Sequence, residues 1–240
     1  MSTKRSGPGP WWRLAQIMIL PLFNAFVTLR IKPGSTLPAD GPFIVAPNHY
    51  SEIDPVVMGV AVWKLGRTPR FLAKASLFRI PVLGFYLRKT GQIPVEREAR
   101  GNSAIDAAHQ LMNSGQGVIV YPEGTLTRQP ELWPMRGKSG AIRMALETGI
   151  PLYPAAHWGT QNLMGRYGKK ITVRPRPVID VVIGEPMDLS KYQGKTATKE
   201  LLDKATDDLM RQIQTLVSEL RGEPAPKTIF QPGTITSGRS

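Results

Sequence analysis

The chain has 240 residues, 41% of them hydrophobic, and carries 31 Lys and Arg against 18 Asp and Glu, a formal net charge of +13. That size suits one large domain with extensions, and a mean hydropathy of -0.18 without any unbroken apolar run near ~20 residues excludes a many-pass membrane protein. The lack of cysteine rules out thiol nucleophiles, disulfides and cysteine-ligated metal, while the positive charge predicts an anionic partner.

At the N-terminus Lys4, Arg5, Trp11, Trp12 and Arg13 precede a largely apolar run from Leu14 to Leu29, interrupted by Gln16, Pro21 and Asn24. The run is too short to cross a ~30 Å hydrocarbon core untilted, and Pro21 kinks or splits a helix. Two short helices lying in a membrane interface are expected, with the tryptophan rings buried there and their N–H groups wet. A signal peptide shares the basic start and apolar stretch, but no small-x-small cleavage site follows. A core helix packed on the domain is the other alternative. Segment 1–32 is thus expected to be an amphipathic membrane-associating piece ahead of a domain over 33–221.

An apolar strand over Phe43 to Ala46 leads into Asn48-His49-Tyr50-Ser51-Glu52-Ile53-Asp54. Residues five apart on a regular helix diverge by about 140°, so for His49 and Asp54 to meet the chain must bend. Pro47 disfavours helix at Ala46, and Asp54-Pro55 reads as an N-cap with proline in the first helical position, opening a helix over Pro55 to Leu65. On such a turn Asp54 can accept the Nδ1 proton of His49 and leave Nε2 free as a general base. The plain alternative is a helix-capping Asp54 beside an ordinary loop histidine.

Between Pro55 and Val95 stand seven basic residues, Lys64, Arg67, Arg70, Lys74, Arg79, Arg88 and Lys89, with no acid, among Trp63, Phe71, Phe78, Phe85 and Tyr86. This mixture suits an anionic lipid surface or the phosphates of coenzyme A, or else the solvated face of an α/β domain. Further strands are expected at Arg70 to Ala73, Gln92 to Val95, Val118 to Tyr121, Leu152 to Ala156 and Val178 to Ile183. Helices are expected at Asn102 to Asn113, from Ser139 to Glu147, and at Thr198 to Leu220. Alternating strands and helices predict an α/β fold: a mostly parallel (mixed) sheet flanked by helices, with sites beyond the carboxyl ends of strands. Glu123 and Gly124 fit a tight turn after a strand. Ser139 lacks the second glycine and the preceding strand of a nucleophile elbow and reads as a helix start. His157 could approach the site but reads as a satisfied structural histidine, and His109 lies within a helix. Three scattered histidines give no zinc site. The tail from Gly222 to Ser240 is rich in Pro, Gly, Ser and Thr and is expected to be flexible or loosely draped.

Four blocks occur in order: Asn48-His49 to Asp54; Gly91-Gln92-Ile93-Pro94-Val95-Glu96-Arg97; Val118-Ile119-Val120-Tyr121-Pro122-Glu123-Gly124-Thr125-Leu126-Thr127-Arg128; and Gly149-Ile150-Pro151-Leu152-Tyr153-Pro154. From about Pro42 to Ala156 the chain resembles the glycerolipid acyltransferases, the family of 1-acyl-glycerol-3-phosphate and glycerol-3-phosphate acyltransferases. The resemblance implies transfer of a fatty acyl group from a thioester, acyl-CoA or acyl carrier protein, to the hydroxyl of a lysophosphatidate, with glycerol-3-phosphate or another lyso-lipid as alternative acceptors. It implies His49 as base, Asp54 as its orienting partner, and an acceptor-binding set of Asn48, Arg97, Glu123, Gly124, Thr125 and Arg128, with the two arginines on the phosphate. The family writes its third block Glu-Gly-Thr-Arg-Ser; here Leu126 and Thr127 follow the threonine, leaving Arg128 as that block's nearby cation.

A thioester is electrophilic enough for an activated alcohol, so neither a covalent acyl-enzyme nor a cofactor or metal is expected. The expected partners are a membrane surface with anionic lipids, the acyl donor and a lysophospholipid, at the cytoplasmic face of the cell membrane as a peripheral or monotopic protein. The rival of another class is a non-enzymatic basic protein binding nucleic acid or anionic lipid, although no nucleic-acid-binding signature is present.

Overall fold

The computed structural model describes residues 9–95, 106, 109, 111 and 115–233. In chain order these form helix α1 (Pro10–Phe26), strands β1 (Thr28–Ile31) and β2 (Phe43–Pro47), helix α2 (Asp54–Lys64), strand β3 (Leu72–Lys74), a 3-10 turn (Ala75–Arg79), helix α3 (Pro81–Lys89), and strands β4 (Ile93–Val95) and β5 (Gly117–Ile119). Then follow helix α4 (Gly140–Thr148), strand β6 (Leu152–Trp158), short helix α5 (Thr160–Leu163), strand β7 (Val178–Ile183), a 3-10 turn (Ser190–Tyr192) and helix α6 (Lys199–Arg221). Asp106, His109 and Leu111, within the expected helix from Asn102 to Asn113, are helical; the rest of that stretch lies outside the described residues.

Phe43-Ile-Val-Ala-Pro is apolar without alternation, the pattern of a strand covered on both faces, and all five residues are buried. It lies between β6 and β5 in a sheet of order β1-β7-β6-β2-β5. Strands β2, β5 and β6 run parallel, β7 runs against β6, and β1 pairs parallel with β7. The sheet is therefore mostly parallel and mixed, as expected. Ile44 and Ala46 face a cluster with Leu152 and Ala156, Ile142 and Met144 of α4, and Leu209, Met210, Ile213 and Val217 of α6. Phe43 and Val45 face the other side, with Ile179 and Val181 of β7, Val57, Met58 and Ala61 of α2, and Phe23 of α1. The expected stripe on α6 thus covers one face, and Thr198 caps its start by accepting a hydrogen bond from the Leu201 N–H at 3.2 Å.

Five expectations differ in detail. The N-terminal run forms one helix, not two. Pro21 sits inside α1, where a proline removes a single backbone hydrogen bond and bends a helix without having to end it. The Trp12 indole N–H is not wet either: it donates to the Thr90 carbonyl at 2.7 Å, and its ring meets Trp63 edge-on at 5.6 Å. The boundary at residue 32 falls just after β1, so segment 1–32 contributes an edge strand to the main sheet. The strands expected around Arg70 and Gln92 form a separate parallel pair, β3 with β4, joined to β5 by a bridge between Phe71 and Ile119. Finally, the tail's described part is docked: Phe230 bridges Met135, its carbonyl accepting the Arg136 N–H at 2.8 Å, while Ala225 and Ile229 pack on the core.

Candidate active site

Strand β2 ends at Pro47, which has no N–H to continue the ladder. The chain turns there, and α2 begins only at Asp54. The turn carries His49 inward. Its Nδ1 lies 3.0 Å from Asp54 Oδ2, and its ring stacks on Tyr121 at 4.2 Å between centroids. His49 is part-buried, its side chain 15% exposed, whereas Asp54 is wholly buried.

Asp54 differs from its expected role as a helix cap. The N-cap position falls to Ile53, and the Asp54 carboxylate reaches backward instead. Oδ2 accepts the backbone N–H groups of Tyr50 at 2.7 Å and Ser51 at 2.8 Å, and Oδ1 accepts the Thr160 hydroxyl at 2.7 Å. Burial alone would push this carboxyl up, but the imidazoles of His157 and His49 and the Ser51 N–H outweigh burial and hold it below its ordinary value. The positive end of the α2 dipole adds to that stabilisation. An anionic Asp54 only accepts, so Nδ1 of His49 is the donor in this contact, which leaves Nε2 as the nitrogen that can serve as a base.

Thr160 was not visible in the four blocks. It is placed by Gly159, which has φ +111°; a Cβ there would lie 2.2 Å from the Val178 carbonyl oxygen, so only glycine lets the chain turn this close to β7. The signal for it was a glycine and a small hydroxyl residue just past a strand end.

The other expected residues are distributed as follows. Asn48 is buried: its amide donates to the His157 carbonyl at 3.1 Å and accepts the His157 N–H at 3.0 Å, so it joins β2 to β6 and does not face a ligand. Glu123 is buried too. One carboxyl oxygen accepts the His49 N–H at 2.8 Å and the other the Met135 N–H at 3.1 Å, so it organises the turns rather than meeting acceptor hydroxyls. Burial pushes the Glu123 carboxyl up to about 8, against the opposing effect of those two N–H donors. Gly124, at φ +69°, makes the left-handed turn that follows. Thr125 and Arg128 are exposed, and Leu126 is buried. Arg97 lies outside the described residues. Thr127 donates its N–H to the His49 carbonyl at 2.7 Å and its hydroxyl to the Trp133 carbonyl, tying this loop to the turn of His49.

Two cations that no block singled out hold or border this loop. The Lys138 side chain lies over Gly124, its Nζ 3.3 Å from where a Cβ would stand. Arg166 donates to the carbonyls of Thr127 at 3.0 Å and Gln129 at 2.6 Å. His157 is both buried, with its Nε2 3.0 Å from the Asn48 carbonyl oxygen as a structural histidine would be, and close to the site, 3.7 Å from Asp54 Oδ2; its Nδ1 has no partner among the described residues.

Turns following β2, β5 and β6 therefore meet beyond the carboxyl ends of three parallel strands, with a histidine-aspartate pair at the centre. Such an arrangement suits a sheet-borne enzyme that moves a proton from an alcohol. Residues 29–158, just over half of the chain, match the Acyltransferase family. The 1-acyl-sn-glycerol-3-phosphate acyltransferase of Bacillus subtilis is 31% identical over 192 residues, 80% of this chain and 89% of that protein. Its namesake in Borreliella burgdorferi is 26% identical over 216 residues, 85% of this chain and 81% of the relative. The fold is similar to the crystal structure of the 1-acyl-sn-glycerophosphate (LPA) acyltransferase PlsC from Thermotoga maritima, with a TM-score of 0.60 and 23% identity over 84% of this chain and 77% of that one. The chain belongs to the acyltransferase family, and it is an enzyme of that class.

Proposed function

We propose that the protein transfers a fatty acyl group from acyl-CoA or acyl carrier protein to the free hydroxyl of 1-acyl-glycerol-3-phosphate, making phosphatidate at a membrane surface. The observation that carries this reading is the contact between His49 Nδ1 and an Asp54 carboxylate locked by three further donors. The names of the Bacillus subtilis and Borreliella burgdorferi relatives support the acceptor.

In this mechanism His49 Nε2 takes the proton of the acceptor hydroxyl as its oxygen attacks the thioester carbonyl. The tetrahedral intermediate collapses, the C–S bond breaks, and the leaving thiolate takes the proton back from the imidazolium. Asp54 stays ionised throughout, orienting the ring and stabilising the positive charge it acquires. A positioned base of this kind contributes ~10²–10⁴-fold. Arg128 and Lys138 border the glycine turn, and with Arg97 they are the cations for the acceptor's phosphate.

The membrane reading draws on a surface that the fold leaves uncovered. No described helix is long and apolar enough to cross a membrane. Yet Leu14, Ile17, Met18, Leu22 and Phe26 of α1 are exposed, as are Ile80, Val82 and Phe85 near α3. Trp11 and Phe85 join the two helices edge-to-face at 5.3 Å, and Arg13, Lys74, Arg79, Arg88 and Lys89 are exposed around them. An apolar surface edged by cations suits the boundary of an anionic bilayer. Three of the seven basic residues also bond the backbone: Arg67 holds the Pro38, Gly41 and Gly115 carbonyls, Arg70 bonds to Gly91, and the exposed Arg88 donates to the Phe78 carbonyl.

The deciding experiment is a panel of labelled acyl donors with purified protein against lysophosphatidate, glycerol-3-phosphate and other lyso-lipids, resolved by product mass. Phosphatidate is the expected product. The His49→Ala protein should lose transfer while still binding liposomes; retained transfer would overturn the general-base role.

A further inference from the structure

We propose that His157 is a positioning residue for acyl transfer, its ring N–H fixing the backbone that carries His49; this rests on the reading of His49 and Asp54 as the base and its partner. The last registered pair between β2 and β6 is Pro47 with Ala155. Beyond it, where proline has interrupted the ladder, Asn48 and His157 replace backbone pairing with a clasp of three bonds. The Asn48 amide donates to the His157 carbonyl at 3.1 Å, the His157 N–H donates to Asn48 Oδ1 at 3.0 Å, and His157 Nε2 meets the Asn48 carbonyl oxygen at 3.0 Å. The residue so held is the immediate neighbour of His49.

The third bond sets the state of the ring. A carbonyl oxygen only accepts, so Nε2 must carry the hydrogen. That leaves Nδ1 as a buried acceptor without a partner among the described residues. A second proton there would be a buried donor with nothing to meet, and burial holds the His157 ring below its ordinary value despite the attraction of Asp54. His157 therefore works as a neutral N–H donor. The same Nε2 lies 3.7 Å from Asp54 Oδ2, the oxygen that His49 uses, and Tyr50 packs at 4.9 Å between ring centroids while its hydroxyl donates to the His157 carbonyl at 3.2 Å. One side chain thus fixes the residue before the base and adds a polar hydrogen beside the base's partner. It touches neither acceptor nor donor.

The test compares His157→Phe, His157→Gln and His157→Asn in the full-length protein, with kcat and KM for lysophosphatidate and circular dichroism to establish folding. Phe keeps the ring without the donor; the Gln amide reaches the place of Nε2; the Asn amide reaches only that of Nδ1. Misplacement of a reacting group by about 1 Å is worth ~10²-fold, so kcat for H157F should fall ~10–100-fold with KM changed less than ~3-fold, and H157Q should recover most of it. Should H157F fail to fold, H157Q must still exceed H157N in kcat by about 10-fold. A folded H157F with the parent kcat, or H157Q and H157N equal in kcat, overturns the proposal. These outcomes leave the general-base reading standing, because that reading fails only if His49→Ala retains transfer.

Discussion

His49 and Asp54 stand five residues apart, and their side chains meet at 3.0 Å only because helix α2 starts at Asp54 and its carboxylate folds back over the preceding turn. The pair is thus a property of one short segment, whereas its rigidity comes from elsewhere. Thr160, over a hundred residues downstream, supplies the donor that fixes the other carboxylate oxygen.

Asp54→Asn keeps the shape but takes the negative charge from the oxygen that accepts from the imidazole and two backbone N–H groups, and its NH2 cannot accept the Thr160 hydroxyl. Transfer should fall by ~10²–10⁴-fold, with the melting temperature lowered as buried donors lose their partner at about 1–3 kcal/mol. Thr160→Val should give a smaller fall, about 10-fold, because it removes one charge-assisted hydrogen bond, worth ~1.5–3 kcal/mol, while leaving Asp54 its charge and its other donors. Steady-state kinetics on both variants checks this; a Thr160→Val loss as large as that of Asp54→Asn would contradict the assigned order.

Glu123 makes stability depend on pH. Its carboxyl is raised from 4.5 to about 8 in the folded protein, so between these values the native state holds a proton that the unfolded chain has released. This contribution is complete below pH 4.5 and is lost as pH rises toward about 8, with a slope of at most about 1.4 kcal/mol per pH unit. Urea titrations across that window should show the decline in the parent and its absence in Glu123→Gln, whatever the variant's baseline. An unchanged slope in the variant would assign the effect to another group.

Ile17 and Val82, 72% and 83% exposed, sit on the uncovered surface of α1 and α3. Replacing either with Asp should leave the melting temperature nearly unchanged, since exposed substitutions usually stay within about 0.5 kcal/mol. Binding to phosphatidylglycerol-containing vesicles should weaken about 10-fold or more, because burying such a side chain contributes ~1.5–3 kcal/mol. Sedimentation with vesicles reads this directly, and parent-level binding of the double variant would remove this surface from the account.

Lys138→Ala tests the cation over Gly124. A charge-assisted hydrogen bond to phosphate contributes ~1.5–3 kcal/mol, so kcat/KM for lysophosphatidate should drop about 10–100-fold. The same substitution should matter little for an uncharged acceptor such as a monoacylglycerol, if that is turned over. Equal losses on charged and uncharged acceptors would point to a disturbed turn.

Much of this was legible along the chain because it depends on local chemistry. The apolar run at Phe43 has to be a doubly covered strand. The proline pair flanking His49 and Asp54 forces a bend between them, and the stripe of Thr198 to Leu220 can bury only one face. What escaped the reading depends on distant partners. Trp12 looks like an interfacial tryptophan until Thr90 supplies its acceptor, and Thr28 and Leu29 look like the end of an apolar helical run until β7 offers an edge to pair with. Asn48 and Glu123 are residue types that bind ligands as readily as backbone, and only the position of β6 and the Met135 loop turned them inward.

The sequence by itself determined the class of chemistry: a histidine and an aspartate spaced to meet across a turn, ordered among three further blocks in a basic chain. Tertiary structure alone decided which polar groups serve the fold and which stay open to a substrate, because a buried donor or acceptor takes whatever partner the packing brings within about 3 Å. Periodicity along the chain carries no record of that distance.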